Sequence, residues 1–225
     1  MRTQTCSATS TSGTIATWFE SRGTYHRLER DAASSVRSGR LLYLARSILQ
    51  FDFAITDNGT CRKSTALMFE GEVVDLEALR FVPRGTVRAL GQDAEYWISE
   101  MRDTAETRLP PEVLDRLGRF TGRLARQTIT NATLDIEERL CTLLVKFAVR
   151  LGVRANDCVH FDLPMSRDAM ATVLGVRSES LSRAISQAKS SGLIGLDGRS
   201  HVTVRDWSAL CAKSPISDLV IAANA

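Results

Sequence analysis

The feature that most constrains this chain is a pair of short helical patterns joined at one glycine, in MSRDAMATVLGVRSESLSRAISQAKSSGLI, residues 165–194. Ser166 is a favourable N-cap for the first helix, and Gly175 is suited to end it in the left-handed conformation. A second helix is expected from Ser178 to Ser190. Its buried stripe would consist of Leu181, Ala184, Ile185 and Ala188. Two short helices with a tight glycine turn predict a helix-turn-helix.

The opposite side of the second helix carries Ser178, Glu179, Ser182, Arg183 and Ser186. In a DNA-binding helix-turn-helix, the N-terminal residues of this helix enter the major groove. Arg183 can bond to guanine O6 and N7, Glu179 can accept from the cytosine amino group, and Ser182 can contact a base or a thymine methyl. The alternative is a solvated Glu179–Arg183 pair, worth roughly 0.2–0.5 kcal/mol at a spacing of four residues.

Further polar residues around this motif are candidate DNA-backbone or auxiliary contacts. They are Arg167, Arg177, Ser178, Lys189, Arg199 and His201. Phosphate contacts set register and supply salt-dependent affinity, but they do not select sequence. Each of these residues is also compatible with an ordinary surface position.

A long helix is predicted at residues 109–134, where two prolines suit a first helical turn. Its apolar and Thr positions recur at steps of three and four, a heptad-like pattern. We expect a homodimer seam formed by Leu114, Leu117, Thr121, Leu124 and Thr128. The alternative is a helix that packs on its own sheet.

Asp135 can cap the next helix, which has Leu140, Leu143, Leu144 and Phe147 on one face and ends at Gly152. A short polar link then leads to the helix-turn-helix. Residues 193–206 predict a hairpin, and no role is assigned to the tail after Lys213.

The N-terminal half predicts a small antiparallel sheet or roll of short strands between about Val36 and Ile98. DNGT at residues 57–60 is a hairpin signal, because Asn-Gly tolerates the positive φ of tight turns. SILQFDFAI in the same region is also compatible with a helix start.

Composition excludes several classes of protein. Of 225 residues, 44% are hydrophobic and 24% charged, and no apolar run reaches the roughly 18 residues of a membrane span. Five cysteines without CxxC spacing argue against a disulfide framework or structural zinc. No common catalytic motif is present, so we expect no enzyme, no metal and no cofactor. The Ser/Thr-rich residues 1–20 predict a disordered leader, and the chain is expected in the cytoplasm.

The segment from Leu163 to Asp206 resembles the winged-helix DNA-binding domain of the cyclic-AMP receptor protein/FNR (CRP/FNR) superfamily. Glu179-Ser180-Leu181-Ser182-Arg183 matches the E-x-x-S-R motif of the FNR and FixK-type branch. The two preceding helices resemble the family's dimerisation helix and the helix that follows it. The resemblance implies a homodimeric regulator on a TTGA…TCAA palindrome, with Arg183 on guanine, Glu179 on the opposite cytosine and Ser182 at a thymine. RNA polymerase is an implied partner.

FEGEVVDLEALRFVPRGTVRALGQDAEYW resembles the family's cyclic-nucleotide-binding-like roll, with Asp75 in place of an expected Gly. Candidate effector-binding residues are Glu72, Arg84, Thr86 and Arg88, for which plain surface positions are the alternative. Only Cys6 lies near the start, so the iron–sulfur centre of the oxygen-sensing branch is not expected. The effector is unknown.

The resulting prediction is an α+β chain with four parts. Residues 1–20 form the leader, 21–108 the β-roll, 109–134 the dimerisation helix and 135–225 the winged helix-turn-helix domain. The alternative is an interaction or ligand-sensing protein with a degenerate roll and weak or effector-dependent DNA binding.

Overall fold

A computed structural model describes residues 12–36, 40–57, 60–76, 85–100, 108–198 and 200–222. The chain divides into two compact units, residues 1–125 and 126–225, with the boundary inside one long helix. The first unit is an antiparallel sheet with helices, and the second is built mainly of helices. The predicted α+β class, with a sheet-based N-terminal part and a C-terminal helix-turn-helix, is confirmed.

The first unit contains one helix, six strands and the first part of a long helix. In chain order these are α1 (Ser12–Arg22), β1 (Gly23–Leu28), β2 (Ala33–Val36), β3 (Arg40–Asp57), β4 (Thr60–Phe69), β5 (Val73–Asp75), β6 (Gly85–Glu100) and α2 (Pro111–Thr133). The strands are antiparallel in the order β1-β6-β3-β4, with β2 on β6 and β5 on β3.

Two long strands, β3 and β6, organise this sheet instead of the short strands predicted. Alternate residues of β3 face the core, among them the fully buried Leu49 and Phe51. Strand β3 pairs with both β6 and β4 along SILQFDFAI, so this segment is a strand and not a helix start. Asp57 lies opposite Thr60, as expected for the predicted hairpin, whereas Asn58 and Gly59 lie outside the described residues.

Helix α1 corrects part of the prediction for the N-terminus. Residues 12–20 were expected in a disordered leader, but they are helical and bury Ile15 and Phe19 against Tyr43 and Val113. The packing partners of Ile15 and Phe19 lie far along the chain. The Ser/Thr-rich composition of the segment therefore gives no indication that it is ordered. Residues 1–11 lie outside the described part.

Helix α2 begins at its prolines, as predicted, but it buries a different stripe. Val113 and Phe120 are fully packed, and Leu117 and Leu124 pack beside them on the cores of the first unit. Leu117 and Leu124 are thus partly buried on the chain's own cores, which is the packing that the alternative to a dimer seam expects. Leu114 remains 54% exposed.

The second unit contains seven more elements before its last two helices. They are α3 (Ile136–Leu151), β7 (Val153–Ala155), β8 (Cys158–Asp162), α4 (Arg167–Leu174), α5 (Ser178–Ser190), β9 (Ile194–Asp197) and β10 (His201–Val204), followed by α6 (Trp207–Ala212) and α7 (Ser217–Ala222). The small sheet has the order β7-β8-β10-β9. The predicted hairpin is confirmed as β9–β10.

One expectation for this unit was wrong, and one segment that was left without a role is helical. The segment taken as a polar link forms the hairpin β7–β8, whose turn residues Asn156 and Asp157 both have positive φ, 50° and 60°. The tail without an assigned role contributes α7, which packs on α3 and contains the buried Val220. Asp135 caps α3 as predicted, through a capping box with Glu138.

Candidate nucleic-acid interface

The turn between α4 and α5 forms as the sequence predicts. The Ser166 hydroxyl accepts from the backbone N–H of Ala169 at 3.2 Å and caps α4. Gly175 ends α4 with φ 65°, in the left-handed region that glycine tolerates best. These local features fix where the first helix starts and stops, and hence where the second begins.

Helix α5 buries the predicted stripe and turns its polar side outward. Leu181 and Ala188 are 0% exposed, Ile185 is 4% and Ala184 is 7%. Glu179 and Arg183 are exposed and Ser182 is partly exposed. The apolar stripe therefore brings the three predicted base-reading side chains to one accessible face.

The side chains of this face make few bonds within the chain. Among the described residues no ion pair joins Glu179 to Arg183, and the Arg183 guanidinium instead donates to Ser180 Oγ at 3.4 Å. The Ser186 hydroxyl donates to the Ser182 carbonyl at 2.9 Å. The solvated pair that offered an alternative explanation of this face is therefore not formed in the structure.

The predicted auxiliary residues differ in their exposure and in their hydrogen bonds. Arg167, Arg177 and Lys189 are exposed. Arg177 is the N-cap residue of α5 and makes no side-chain capping bond, so backbone donors at the helix start remain open to an anion. The Ser178 hydroxyl donates to Asp168 Oδ1 at 2.7 Å, which ties the start of α5 to α4.

In the hairpin β9–β10, His201 is partly buried and already has a partner. Its Nδ1 lies 3.1 Å from Asp162 Oδ1. The ring stacks near that of His160, with centroids 5.8 Å apart. Arg199 lies outside the described residues.

Three side chains that sequence reasoning missed hold the end of α4. Gln127 and Asn131 of α2 donate to the Val173 carbonyl at 3.3 and 3.0 Å. Arg139 of α3 donates to the Leu174 carbonyl at 3.1 Å. Polar residues at spacing four near the end of α2 were the available signal, but the identity of their acceptors depends on tertiary packing.

The predicted effector residues of the first unit do not form a common anion site. Glu72 forms a two-pronged ion pair with Arg123, at 2.7 and 2.9 Å, with each side chain only 11% exposed. Thr86 and Arg88 are exposed on β6, and Arg88 donates to the Asp31 carbonyl at 2.7 Å. Arg84 lies outside the described residues. Arg123 was not singled out from the sequence, because its partner is 51 residues away.

Two properties of the described residues bear on function. No cluster of three or more His, Cys, Asp or Glu side chains has the geometry to hold a metal ion. None of the described helices has the length and apolar character needed to cross a membrane.

Comparison with known proteins agrees with this geometry. Residues 138–213 match the family model of the Crp-like helix-turn-helix domain. The chain is 25% identical to the transcriptional activator protein FnrA of Stutzerimonas stutzeri over 189 residues, 76% of this chain and 71% of that one. It is 40% identical to the transcriptional activator protein FnrL of Cereibacter sphaeroides over 77 residues, 32% of this chain and 31% of that one.

Solved structures show the same fold over most of the chain. FixK2 from Bradyrhizobium japonicum aligns with a TM-score of 0.65 and 20% identity, covering 85% of this chain and 97% of that one. A CooA mutant from Carboxydothermus hydrogenoformans aligns with a TM-score of 0.64 and 15% identity, covering 87% and 89%.

The two curated relatives are transcriptional activators and not enzymes, in agreement with the prediction from sequence. The matched domain is the one that carries α4 and α5. Residues 138–213 thus form a Crp-like helix-turn-helix domain, and the chain as a whole is similar to transcription regulators of the CRP/FNR type.

Proposed function

We propose that the chain binds a TTGA…TCAA-type palindrome as a homodimer, with one α5 helix in each of two successive major grooves. In each half-site Arg183 contacts guanine, Glu179 accepts from the amino group of the opposite cytosine, and Ser182 contacts a thymine. Each of these contacts uses a donor or acceptor pattern that distinguishes base pairs in the major groove.

The observation that carries this proposal is the pairing state of Glu179 and Arg183. Both are exposed on the first two turns of α5, and no ion pair joins them among the described residues. A carboxylate close to DNA phosphates is repelled unless it bonds to a base or orients an arginine. Its position beside Arg183 therefore favours base reading over a purely electrostatic contact.

The test is selection of bound sequences from a random DNA library with the purified chain, at physiological salt and without added ligand. Enrichment of a two-fold symmetric TTGA-type site is the expected result. If an unrelated motif is enriched, the residue assignments are wrong. If none is enriched, repeating the selection with cyclic nucleotides, and under reducing and oxidising conditions, tests the effector-dependent alternative.

The proposed homodimer uses the face of α2 that the chain itself leaves uncovered. Leu114 is 54% and Ile129 60% exposed. Between them lie further exposed positions with small or short side chains, Gly118, Thr121, Ala125 and Thr128. Small side chains allow two helices to approach closely, so this face suits a second copy of α2.

The dimer test replaces Leu114 and Thr128 together by Lys. Both side chains are exposed, so the change leaves the cores intact while placing two like charges at the seam in each copy. We expect the mass in solution to fall from dimer to monomer, measured by light scattering. An unchanged mass removes these residues from the seam. Leu117 and Leu124 are poorer probes because they pack on the first unit.

The remaining parts of the proposal follow from DNA binding. A regulator of this type acts where its promoter DNA is, in the cytoplasm, and RNA polymerase is its expected protein partner. We propose no nucleotide site at Glu72, since Arg123 already occupies both of its carboxylate oxygens.

A further inference from the structure

The last carbonyls of a helix lack hydrogen-bond partners inside it, so those at the end of α4 need donors from elsewhere. The Gly175 turn satisfies two of them. The Ala171 carbonyl accepts from the N–H of Val176 at 3.0 Å, and the Thr172 carbonyl accepts from the N–H of Gly175 at 3.2 Å. The next two, Val173 and Leu174, receive side-chain donors from other helices.

Those donors come from the end of α2 and the start of α3. Asn131 and Gln127 share the Val173 carbonyl, and a Cβ built on Gly175 would meet Asn131 Nδ2 at 3.7 Å. Asn131 therefore lies against the turn itself. Because Gln127 and Asn131 are four residues apart, they lie on one face of α2.

Arg139 joins the two helix ends directly. Its Nε donates to the carbonyl of Leu134, just after α2, at 2.7 Å, and its Nη1 donates to the carbonyl of Leu174, the last residue of α4, at 3.1 Å. A guanidinium at the C-terminal end of a helix also interacts favourably with the helix dipole. One planar, rigid group thus sets the distance between the end of α2 and the end of α4.

The other side of α2 in this region is open. Thr128, Ile129 and Ala132 are exposed, and they point away from the face that carries Gln127 and Asn131. In the proposed homodimer, the partner's α2 covers that open side. In that dimer, α2 would lie at the two-fold axis, and the three donor side chains would connect it to the Gly175 turn and so to α5.

We propose that Gln127, Asn131 and Arg139 are positioning residues that fix α5 relative to the dimer axis, and thereby set the spacing between half-sites that the protein accepts. None of the three needs to touch DNA for this role. The proposal rests on the homodimeric DNA binding proposed above, and it adds that spacing and half-site sequence are controlled by different residues.

The experiment measures affinity for a series of duplexes that carry the selected half-sites with the spacer shortened or lengthened by one or two base pairs. The proteins are the full-length wild type, the double variant Gln127→Ala with Asn131→Ala, and Arg139→Lys, which keeps the charge but loses the two-pronged geometry. Arg126→Ala is the matched control, since Arg126 is exposed on the same turn of α2.

We expect wild type and Arg126→Ala to prefer one spacer strongly. In the double variant and in Arg139→Lys, the preference for that spacer over its neighbours should fall roughly tenfold, the order expected from losing one or two net hydrogen bonds. The half-site sequence selected from a random library should not change. Thermal unfolding and the dimer mass of each variant are measured in parallel.

Weaker binding to all spacers with an unchanged spacer ratio would overturn the proposal, because it describes a role in stability alone. If the double variant does not fold, the single variants Asn131→Ala and Gln127→Ala are compared by the same ratio. Failure of the wild type to enrich any palindrome, with or without cyclic nucleotides and in both redox conditions, would instead overturn the proposed function itself.

Discussion

Each of the two units contains a Glu and an Arg that are instructive to compare. Glu72, Glu179 and Arg183 are functional candidates from the sequence, whereas Arg123 is not, and the structure uses the two sets in opposite ways. In the first unit Glu72 and Arg123 are nearly buried and fully engaged with each other. In the second, Glu179 and Arg183 are exposed on one helix, four residues apart, with no ion pair joining them among the described residues.

The difference shows that residue type alone does not make a binding site. Burial makes an uncompensated charge costly, so the Glu72–Arg123 pair has its bonds completed by the chain. Exposure leaves the charges of α5 hydrated, and water can be exchanged for a base edge at little cost. The degree of burial therefore assigns Glu72 and Arg123 to stability, and it leaves Glu179 and Arg183 accessible for the base contacts proposed above.

The largest expected effect comes from breaking the buried pair. Arg123→Ala leaves the Glu72 carboxylate buried without its main partner, and we expect it to lower the free energy of unfolding by about 3–5 kcal/mol. Urea unfolding followed by circular dichroism measures this. Arg119→Ala, which removes an exposed partner of Asp115, should cost about 1 kcal/mol or less. Equal effects for the two variants would contradict the comparison.

Arg183→Ala should act on DNA affinity and leave stability unchanged. We expect it to cost about 1–3 kcal/mol on the selected site and to relax the choice of base at one pair in each half-site. Fluorescence anisotropy on the selected site and on single-base variants of it gives both quantities. Uniform weakening on every sequence would assign Arg183 to a phosphate and not to guanine.

A smaller effect is expected when the charge of the neighbouring carboxylate is removed. Glu179→Gln keeps the size of the side chain but removes its repulsion from phosphate, so binding to random DNA should strengthen slightly. Discrimination at the base pair that Glu179 reads should fall by about 1 kcal/mol. Unchanged or increased discrimination at that pair would contradict the assigned contact. As a comparison, Lys189→Gln alters a candidate backbone contact of similar exposure and should weaken binding to all sequences without changing discrimination.

The smallest effect concerns thiols, and it tests burial in the second unit. Burial raises the pKa of the Cys141 thiol to about 11, so almost none is thiolate at neutral pH. Alkylation at pH 7.5 should leave Cys141 unmodified until denaturant is added, whereas the partly exposed Cys158 should react in the folded chain. Mass spectrometry of the peptides measures both. Equal labelling of the two in the folded chain would show that α3 opens readily.

What the sequence predicted well are features decided within a few residues. Ser166, Gly175 and Asp135 act as caps in the structure because their bonds reach only three or four residues along the chain. The buried stripe of α5 follows from helical periodicity alone. These local features were enough to predict which side of α5 is accessible.

What the sequence could not give depends on partners distant in the chain. From the sequence, Glu72 is a candidate effector-binding residue. In the structure its partner is Arg123, which lies 51 residues later in the chain. Helix α1 was missed because Phe19 finds its apolar neighbours only in the folded sheet. For β7, every side chain is exposed, so no alternation marked the strand, although the two turn residues Asn156 and Asp157 offered a signal.

The Glu72–Arg123 pair also has a consequence for solubility. Among the described strands β4 pairs only with β3, and an edge strand with unpaired backbone groups invites further strands from other molecules. Glu72 accepts from the backbone N–H of Phe69, and Arg123 donates to the Leu67 carbonyl. The two side chains thus occupy two backbone groups at the end of β4, and an incoming strand could pair with those groups only by displacing the ion pair.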